Sequence, residues 1–248
     1  MADKVLRPVE GEIFYIDKPL GWTSFDAVKR LRGRIHERLK IRNLKVGHAG
    51  TLDPLATGVL IVCTGKMTKR IDELQSGVKE YVAQVTLGAT TPSFDLETQI
   101  DATYPWEHIT REMVVETLRR FTGSIEQVPP AFSACKVNGR RAYKDARKGK
   151  EVALKPKTLV IDEIELLSCN LPVIEIRIVC SKGTYIRALA RDIGLALGSG
   201  AHLTALRRTR VGQISVDRCS TVDSLLAMLD ETPMELPEVL PEGKITKI

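Results

Sequence analysis

Asp53 is the carboxylate most suggestively placed in the sequence. It precedes Pro54 in the run Val46-Gly-His-Ala-Gly-Thr-Leu-Asp-Pro-Leu-Ala-Thr-Gly-Val-Leu60, where Gly47, Gly50, Gly58 and Pro54 fall within twelve residues. Three residues without a Cβ and one with a fixed φ fold a tight loop that feeds an apolar strand. A lone carboxylate in such a loop can be aimed at one atom of a ligand. Asp before Pro also caps turns, and the residues alone leave both readings open. A second run, Cys180-Ser-Lys-Gly-Thr-Tyr-Ile-Arg-Ala-Leu-Ala-Arg-Asp-Ile-Gly194, joins a strand to a helix. Gly183-Thr184 at that junction would present backbone N–H groups to an anion. Arg187, expected one turn into the helix, points back towards its start. It suits a carboxylate partner, or with Arg191 it forms a plain charged face.

Other chemistries are excluded by spacing. Cys63, Cys135, Cys169, Cys180 and Cys219 are odd in number and scattered, with no C-x-x-C pair, so neither a disulfide framework nor a structural zinc site is expected. His36, His48, His108 and His202 show no metal-ligand spacing, and without H-x-E and C-x-x-C there is no zinc deaminase. Gly65-Lys66 resembles the end of a phosphate-binding loop, but Leu60 and Met67 stand where Gly and Ser or Thr are required. No G-x-S-x-G elbow is present.

The elements that must hold these runs can be read from periodicity. Residues 12–17 predict a strand closed by Lys18-Pro19-Leu20-Gly21. Thr23 then begins a helix to about Leu39, with Asp26 as capping partner and Val28, Leu31, Ile35 and Leu39 as its apolar stripe. Residues 58–64 predict a buried strand and 79–88 an alternating one. A helix over about 110–121 is expected to end with Gly123 as its C′ glycine. Strands follow at about 158–168 and 173–181, then a helix near 184–197 closed by Gly198. Strands and helices mix without βαβ alternation, which predicts an α+β fold on a largely antiparallel sheet. The segment 125–157 is expected to be a long surface arm.

The 248 residues carry 37 Lys and Arg against 31 Asp and Glu, a formal net +6, and the charge is unevenly placed. Residues 133–157 hold nine basic and two acidic side chains, and residues 26–45 hold eight basic and two acidic. From Cys219 to Gly243 six acids stand without a base. Two basic concentrations and an acidic end point to a polyanion gripped at defined places. The longest apolar run, Val59 to Cys63, is five residues where a membrane span needs about 18. The N-terminus lacks the apolar core of a signal peptide, so a cytoplasmic protein without membrane contact is expected.

The run Gly47-His48-x-Gly50-Thr51-Leu52-Asp53-Pro54-Leu55-Ala56-Thr57-Gly58 resembles the signature of the TruB family of bacterial tRNA pseudouridine-55 synthases. The similarity extends to Asp17-Lys18-Pro19-x-Gly21-x-Thr23-Ser24, Lys79-Glu80-Tyr81 and Gln127-Val128-Pro129-Pro130-x-x-Ser133-Ala134-x-Lys136. It continues through Lys182-Gly183-Thr184-Tyr185-Ile186-Arg187 and Leu206-Arg207-Arg208-Thr209, covering about residues 12–215 in family order.

The resemblance implies an isomerase that converts uridine to pseudouridine in the T-loop of tRNA, on a pseudouridine synthase fold. No electron or group is exchanged with a second molecule, so no cofactor and no metal are expected. Asp53 matches the family's catalytic carboxylate, Arg187 the arginine paired with it, and Tyr81 the tyrosine that stacks on the flipped base. His48 matches the histidine that takes the departed base's place, Leu206 lines the pocket, and Lys18 is expected on the RNA side. The arm at 125–157 corresponds to a mobile thumb whose Lys136, Arg140, Arg141, Lys144, Arg147 and Lys148 would meet phosphates. The chain is expected to be one catalytic domain over 1–248, monomeric, with a short acidic segment at 219–248 and no room for the C-terminal PUA-type domain of many relatives.

Overall fold

The computed structural model describes residues 5–133, 135–137, 140–141, 154–240 and 245–247. In chain order the strands and helices begin with β1 (Ile13–Lys18), α1 (Ser24–Leu39), β2 (Ile41–Arg42), β3 (Val46–Ala49) and β4 (Ala56–Thr64). Then come α2 (Ile71–Leu74), β5 (Lys79–Leu87), β6 (Ala89–Thr90), β7 (Ala102–Thr103), α3 (Arg111–Arg120) and β8 (Gly123–Gln127). The short strands β9 (Lys136–Val137) and β10 (Arg140–Arg141) precede the long pair β11 (Lys157–Asn170) and β12 (Val173–Cys180). Last are α4 (Ile186–Ala196), β13 (Ala201–Val211), β14 (Ile214–Ser215), β15 (Ser220–Thr221), α5 (Val222–Glu231) and β16 (Thr246–Lys247). These residues form two compact units, one up to Gly77 and again from Arg208 onward, the other from Val78 to Arg207.

The first unit is built on β4. Its registers pair Ile16 with Leu60 on β1 and His48 with Val62 on β3, both antiparallel, while β15 joins β1 in parallel. Successive strand side chains point to opposite faces. Leu60 and Val62 therefore join one apolar cluster, with Phe14, Ile16, Val28, Leu31, Ile35, Leu225 and Leu229, and Val59, Ile61 and Cys63 join another. Both faces of β4 are covered, which is why Gly58–Thr64 reads as an unbroken buried run. Helix α1 starts where its sequence says it should. The Thr23 hydroxyl accepts from the Asp26 N–H at 3.1 Å, and the Asp26 carboxylate accepts from the Thr23 N–H at 2.8 Å, a complete capping box.

The second unit is an antiparallel run in the order β5-β12-β11-β8. Tyr81, Ala83 and Val85 stand opposite Ile178, Ile176 and Ile174. These side chains pack with Val114 and Leu118 of α3 and with Ile186, Leu189 and Ile193 of α4. The α+β expectation with a mainly antiparallel sheet therefore holds.

Three local expectations are corrected. Gly123, with φ +95°, opens β8; it is not the C′ residue, because α3 ends at Arg120 and Phe121 is its C-cap. Helix α4 begins at Ile186, two residues later than expected, so Arg187 lies in its first turn. The cause is the buried Gln127 side chain, which accepts from the Tyr185 N–H at 2.9 Å and donates to the Tyr185 carbonyl at 3.2 Å. That amide holds Tyr185 extended and occupies its N–H. The arm expected from residue 125 begins later, because the chain up to Gln127 belongs to β8, paired with β11, and Gln127 is buried. The acidic segment carries a helix, Val222–Glu231, with Leu225 and Leu229 buried and Thr221 as N-cap.

Candidate active site

The loop that carries Asp53 is gripped at its backbone from several directions within the first unit. Ser24, in the first turn of α1, holds both polar groups of Leu52: its hydroxyl donates to the Leu52 carbonyl at 3.0 Å and accepts from the Leu52 N–H at 2.8 Å. The Pro54 carbonyl accepts from the Gly21 N–H at 2.9 Å, and Ala56 N–H closes a turn on the Asp53 carbonyl at 3.1 Å. Arg208, on β13, donates to the carbonyls of Gly50, Thr51 and Val59 at 3.1, 3.4 and 2.8 Å. Gly58 is indispensable by geometry. Its φ is +103°, and a Cβ there would stand 2.1 Å from the Arg208 carbonyl oxygen. Leu52 and Ala56 on either side are buried, and Asp53 between them keeps partial exposure.

Lys18 is corrected from an RNA-facing residue to an internal one. It has no exposed surface, and its ammonium donates to the carbonyls of Trp22 at 2.6 Å, Pro19 at 3.0 Å and Pro54 at 3.5 Å. Burial pushes its pKa down to about 8, opposed by the negative charge of Asp53 and assisted by the positive charge of Arg208. Asp53 therefore shares its surroundings with a buried cation that also ties down the residue next to it. His48 lies on β3 opposite Val62 and is partly exposed.

In the second unit, Arg187 resolves one of the open readings. It is 4% exposed, so it does not belong to a solvated charged face. Its guanidinium donates to the Ser93 carbonyl at 3.0 Å and to the Phe132 carbonyl at 2.9 Å, with Nε 3.6 Å from the Asp95 carboxylate. The 91–98 turn that supplies two of these partners is itself tied: Thr91 and Ser93 hydroxyls both donate to the Asp95 carbonyl, at 2.6 and 3.1 Å. Arg191, one turn on, lies 4.8 Å over the Phe94 ring and donates to the Val128 carbonyl at 3.1 Å. Tyr81 is 8% exposed on β5, and Leu206 packs half-buried against the same apolar cluster. The second unit thus places Tyr81 and Leu206 at one apolar cluster, and Arg187 on α4, whose Ile186 joins that cluster.

Of the six thumb residues, Lys136, Arg140 and Arg141 fall on β9 and β10, paired as Arg140 with Val137 and Arg141 with Lys136. Lys144, Arg147 and Lys148 lie outside the described residues. Sequence reasoning missed the roles of Ser24, Gln127 and Arg208. Each stood inside a quoted run, but their contacts are with backbone atoms distant in sequence, which no spacing reveals. Among the described residues no helix is long and apolar enough to cross a membrane, and no three His, Cys, Asp or Glu side chains converge as metal ligands would.

Comparison with known proteins adds to this geometry. The family model for the TruB family pseudouridylate synthase N-terminal domain matches residues 36–186, and that for the tRNA pseudouridylate synthase B C-terminal domain matches residues 187–241. The tRNA pseudouridine synthase B of Phocaeicola vulgatus is 66% identical over 233 residues, spanning 94% of this chain and 98% of its own. That of Bacteroides fragilis is 66% identical over 229 residues, spanning 92% and 98%. Among solved structures, a Cbf5-Nop10-Gar1 complex is similar with a TM-score of 0.67 and 29% identity, covering 90% of this chain and 56% of that one. This chain therefore spans little more than half the length of that structural relative.

Proposed function

The chain belongs to the TruB family of pseudouridylate synthases, and on that premise we propose that it isomerises uridine to pseudouridine at position 55 in the T-loop of tRNA. The reaction breaks the bond between C1′ and N1, turns the base, and joins C1′ to C5. The C5 hydrogen leaves as a proton and N1 gains one, so atoms and electrons balance within the nucleotide and solvent. Asp53 supplies the carboxylate. It serves equally by attacking C1′, by attacking C6 or by taking the C2′ proton, and the reading is common to all three. Arg187 orients that carboxylate, and Tyr81 offers its face to the base once it has left the RNA stack. His48 fills the space the base vacates, Leu206 lines the pocket, and the basic residues from Lys136 to Lys148 take phosphates of the T-arm.

The observation that carries the reading is the grip on the Asp53 loop. Ser24, Gly21, Lys18 and Arg208 all bind its backbone, so the course of the chain on both sides of Asp53 is fixed. A turn-capping aspartate needs no such scaffold. A fixed carboxylate loses little freedom in reaching a transition state.

Tritium release from unmodified tRNA labelled at uridine C5 tests this directly, because the new bond displaces the C5 hydrogen. Release stoichiometric with tRNA is expected, abolished in Asp53→Asn with tRNA binding retained, and absent when the T-loop target is replaced by cytidine. Tight binding without release would make the chain an RNA-binding module. Release that survives loss of the T-loop uridine would move the activity to another site.

A further inference from the structure

We propose that Arg208 is a positioning residue for the isomerisation: its guanidinium fixes the backbone on both sides of Asp53 and so sets where the carboxylate stands. The inference rests on the function proposed above. It starts from burial. Arg208 is 2% exposed and is among the largest fully buried side chains. A guanidinium costs several kcal/mol to remove from water unless its donors are satisfied. All three of its described hydrogen bonds go to backbone carbonyls, and all three carbonyls belong to the segment around Asp53. Gly50 and Thr51 lie three and two residues before the carboxylate, and Val59 lies six after. One rigid fork therefore spans the entry and the exit of the loop.

The origin of that fork is fixed as well as its tip. The Arg208 backbone packs so closely on Gly58 that an added Cβ would lie 2.1 Å from its carbonyl oxygen and 2.9 Å from its nitrogen. Side chain and main chain of one residue thus meet the same segment at Gly50, Thr51, Gly58 and Val59. Ser24 holds the loop independently at Leu52, so the two grips can be loosened one at a time. Lysine cannot replace arginine here, because a single ammonium on a shorter stem does not reproduce a planar fork that reaches three acceptors.

The test uses the full chain with Arg208→Lys, Ser24→Ala and Asp53→Asn. It reads single-turnover tritium release, tRNA dissociation constant, and amide hydrogen exchange over residues 46–58. For Arg208→Lys the expected result is a release rate lower by about 100-fold, as for a displacement near 1 Å. The tRNA dissociation constant stays within about threefold, and exchange accelerates at Leu52 and Ala56 while the β5 and β12 amides keep their protection. Ser24→Ala is expected to show the same signature in weaker form. Asp53→Asn should lose release with exchange unchanged. An Arg208→Lys variant with wild-type rate would overturn the proposal, and so would a rate loss matched by equal loss of tRNA affinity. If Arg208→Lys does not fold, Ser24→Ala decides: faster exchange over the loop at an undiminished rate would show that loop position does not govern the chemistry. Absence of release from the unaltered enzyme, with exchange still accelerated by Arg208→Lys, would defeat the proposed activity while leaving the clamp standing.

Discussion

Lys18 presents a buried cation whose electrostatic consequence has a definite sign. Its pKa falls from 10.5 in the unfolded chain to about 8 in the folded one, chiefly through burial and against the pull of Asp53. Between those values the unfolded chain binds the extra proton, so this residue makes stability rise with pH. Below about pH 8 the full penalty of a buried charge is present, and it is relieved across the window from 8 to 10.5. The difference in unfolding free energy between the unaltered protein and Lys18→Met should change by roughly 3 kcal/mol across that window, in favour of the unaltered protein at high pH. Urea denaturation at a series of pH values measures it, and a difference that stays flat would contradict the assignment. The ammonium is retained despite this cost because three carbonyls around the Asp53 loop need its donors. Sequence made Asp53 and Arg187 conspicuous, since each sits at the centre of a dense run of unusual residues. Lys18 and Arg208 look like any surface base in sequence, and their burial follows only from how strands and loop close around them.

At the scale of elements, local signals were legible and non-local ones were not. Helix α1 follows from its own residues: Thr23 and Asp26 form the cap, and Val28, Leu31 and Ile35 are the buried face expected of them. Strands β1, β4, β5, β11 and β12 follow from period-two alternation or unbroken apolar runs. Strand β13 escapes the period-two signal because the apolar residues of Ala201–Val211 do not alternate and three arginines interrupt them, one of which points inward to carbonyls. The start of α4 was misplaced because Gln127, nearly sixty residues away, holds Tyr185 out of the helix. The cap of α1 matters beyond the helix, since Ser24 in its first turn is the residue that grips Leu52. Thr23→Ala should therefore cost about 1 kcal/mol of stability. It should also accelerate amide exchange at Leu52 before global unfolding. Thermal denaturation combined with exchange by mass spectrometry checks both, and a cost confined to α1 amides would separate the cap from the loop.

Across the whole molecule the two basic concentrations separate into different roles. The one at 26–45 is partly spent inside the first unit on the acidic end of the chain. Arg34 makes two bonds of 2.5 Å to Asp230 and a third to Glu37 at 2.7 Å, and Arg38 donates to the carbonyls of Leu229 and Thr232. Arg7 is likewise paired with Glu235 at 3.1 Å. These pairs hold Asp230 ionised and α5 against α1, so their cations have little left for RNA. The concentration at 133–157 carries nine bases against two acids, and it is the one expected to displace counterions from phosphate. That division has a measurable form, because each phosphate contact on single-stranded RNA adds about 0.7 to the slope of log affinity against log salt. Replacing Lys144, Arg147 and Lys148 together by alanine should lower the slope for tRNA by about 2, which is three such contacts. Arg34→Ala should leave the slope unchanged while lowering the thermal midpoint, since it removes an internal tie and no phosphate contact. Filter binding from low to physiological salt distinguishes the two. A slope that falls as much with Arg34→Ala as with the triple variant would mean that the charge on α1 meets RNA despite its internal partners.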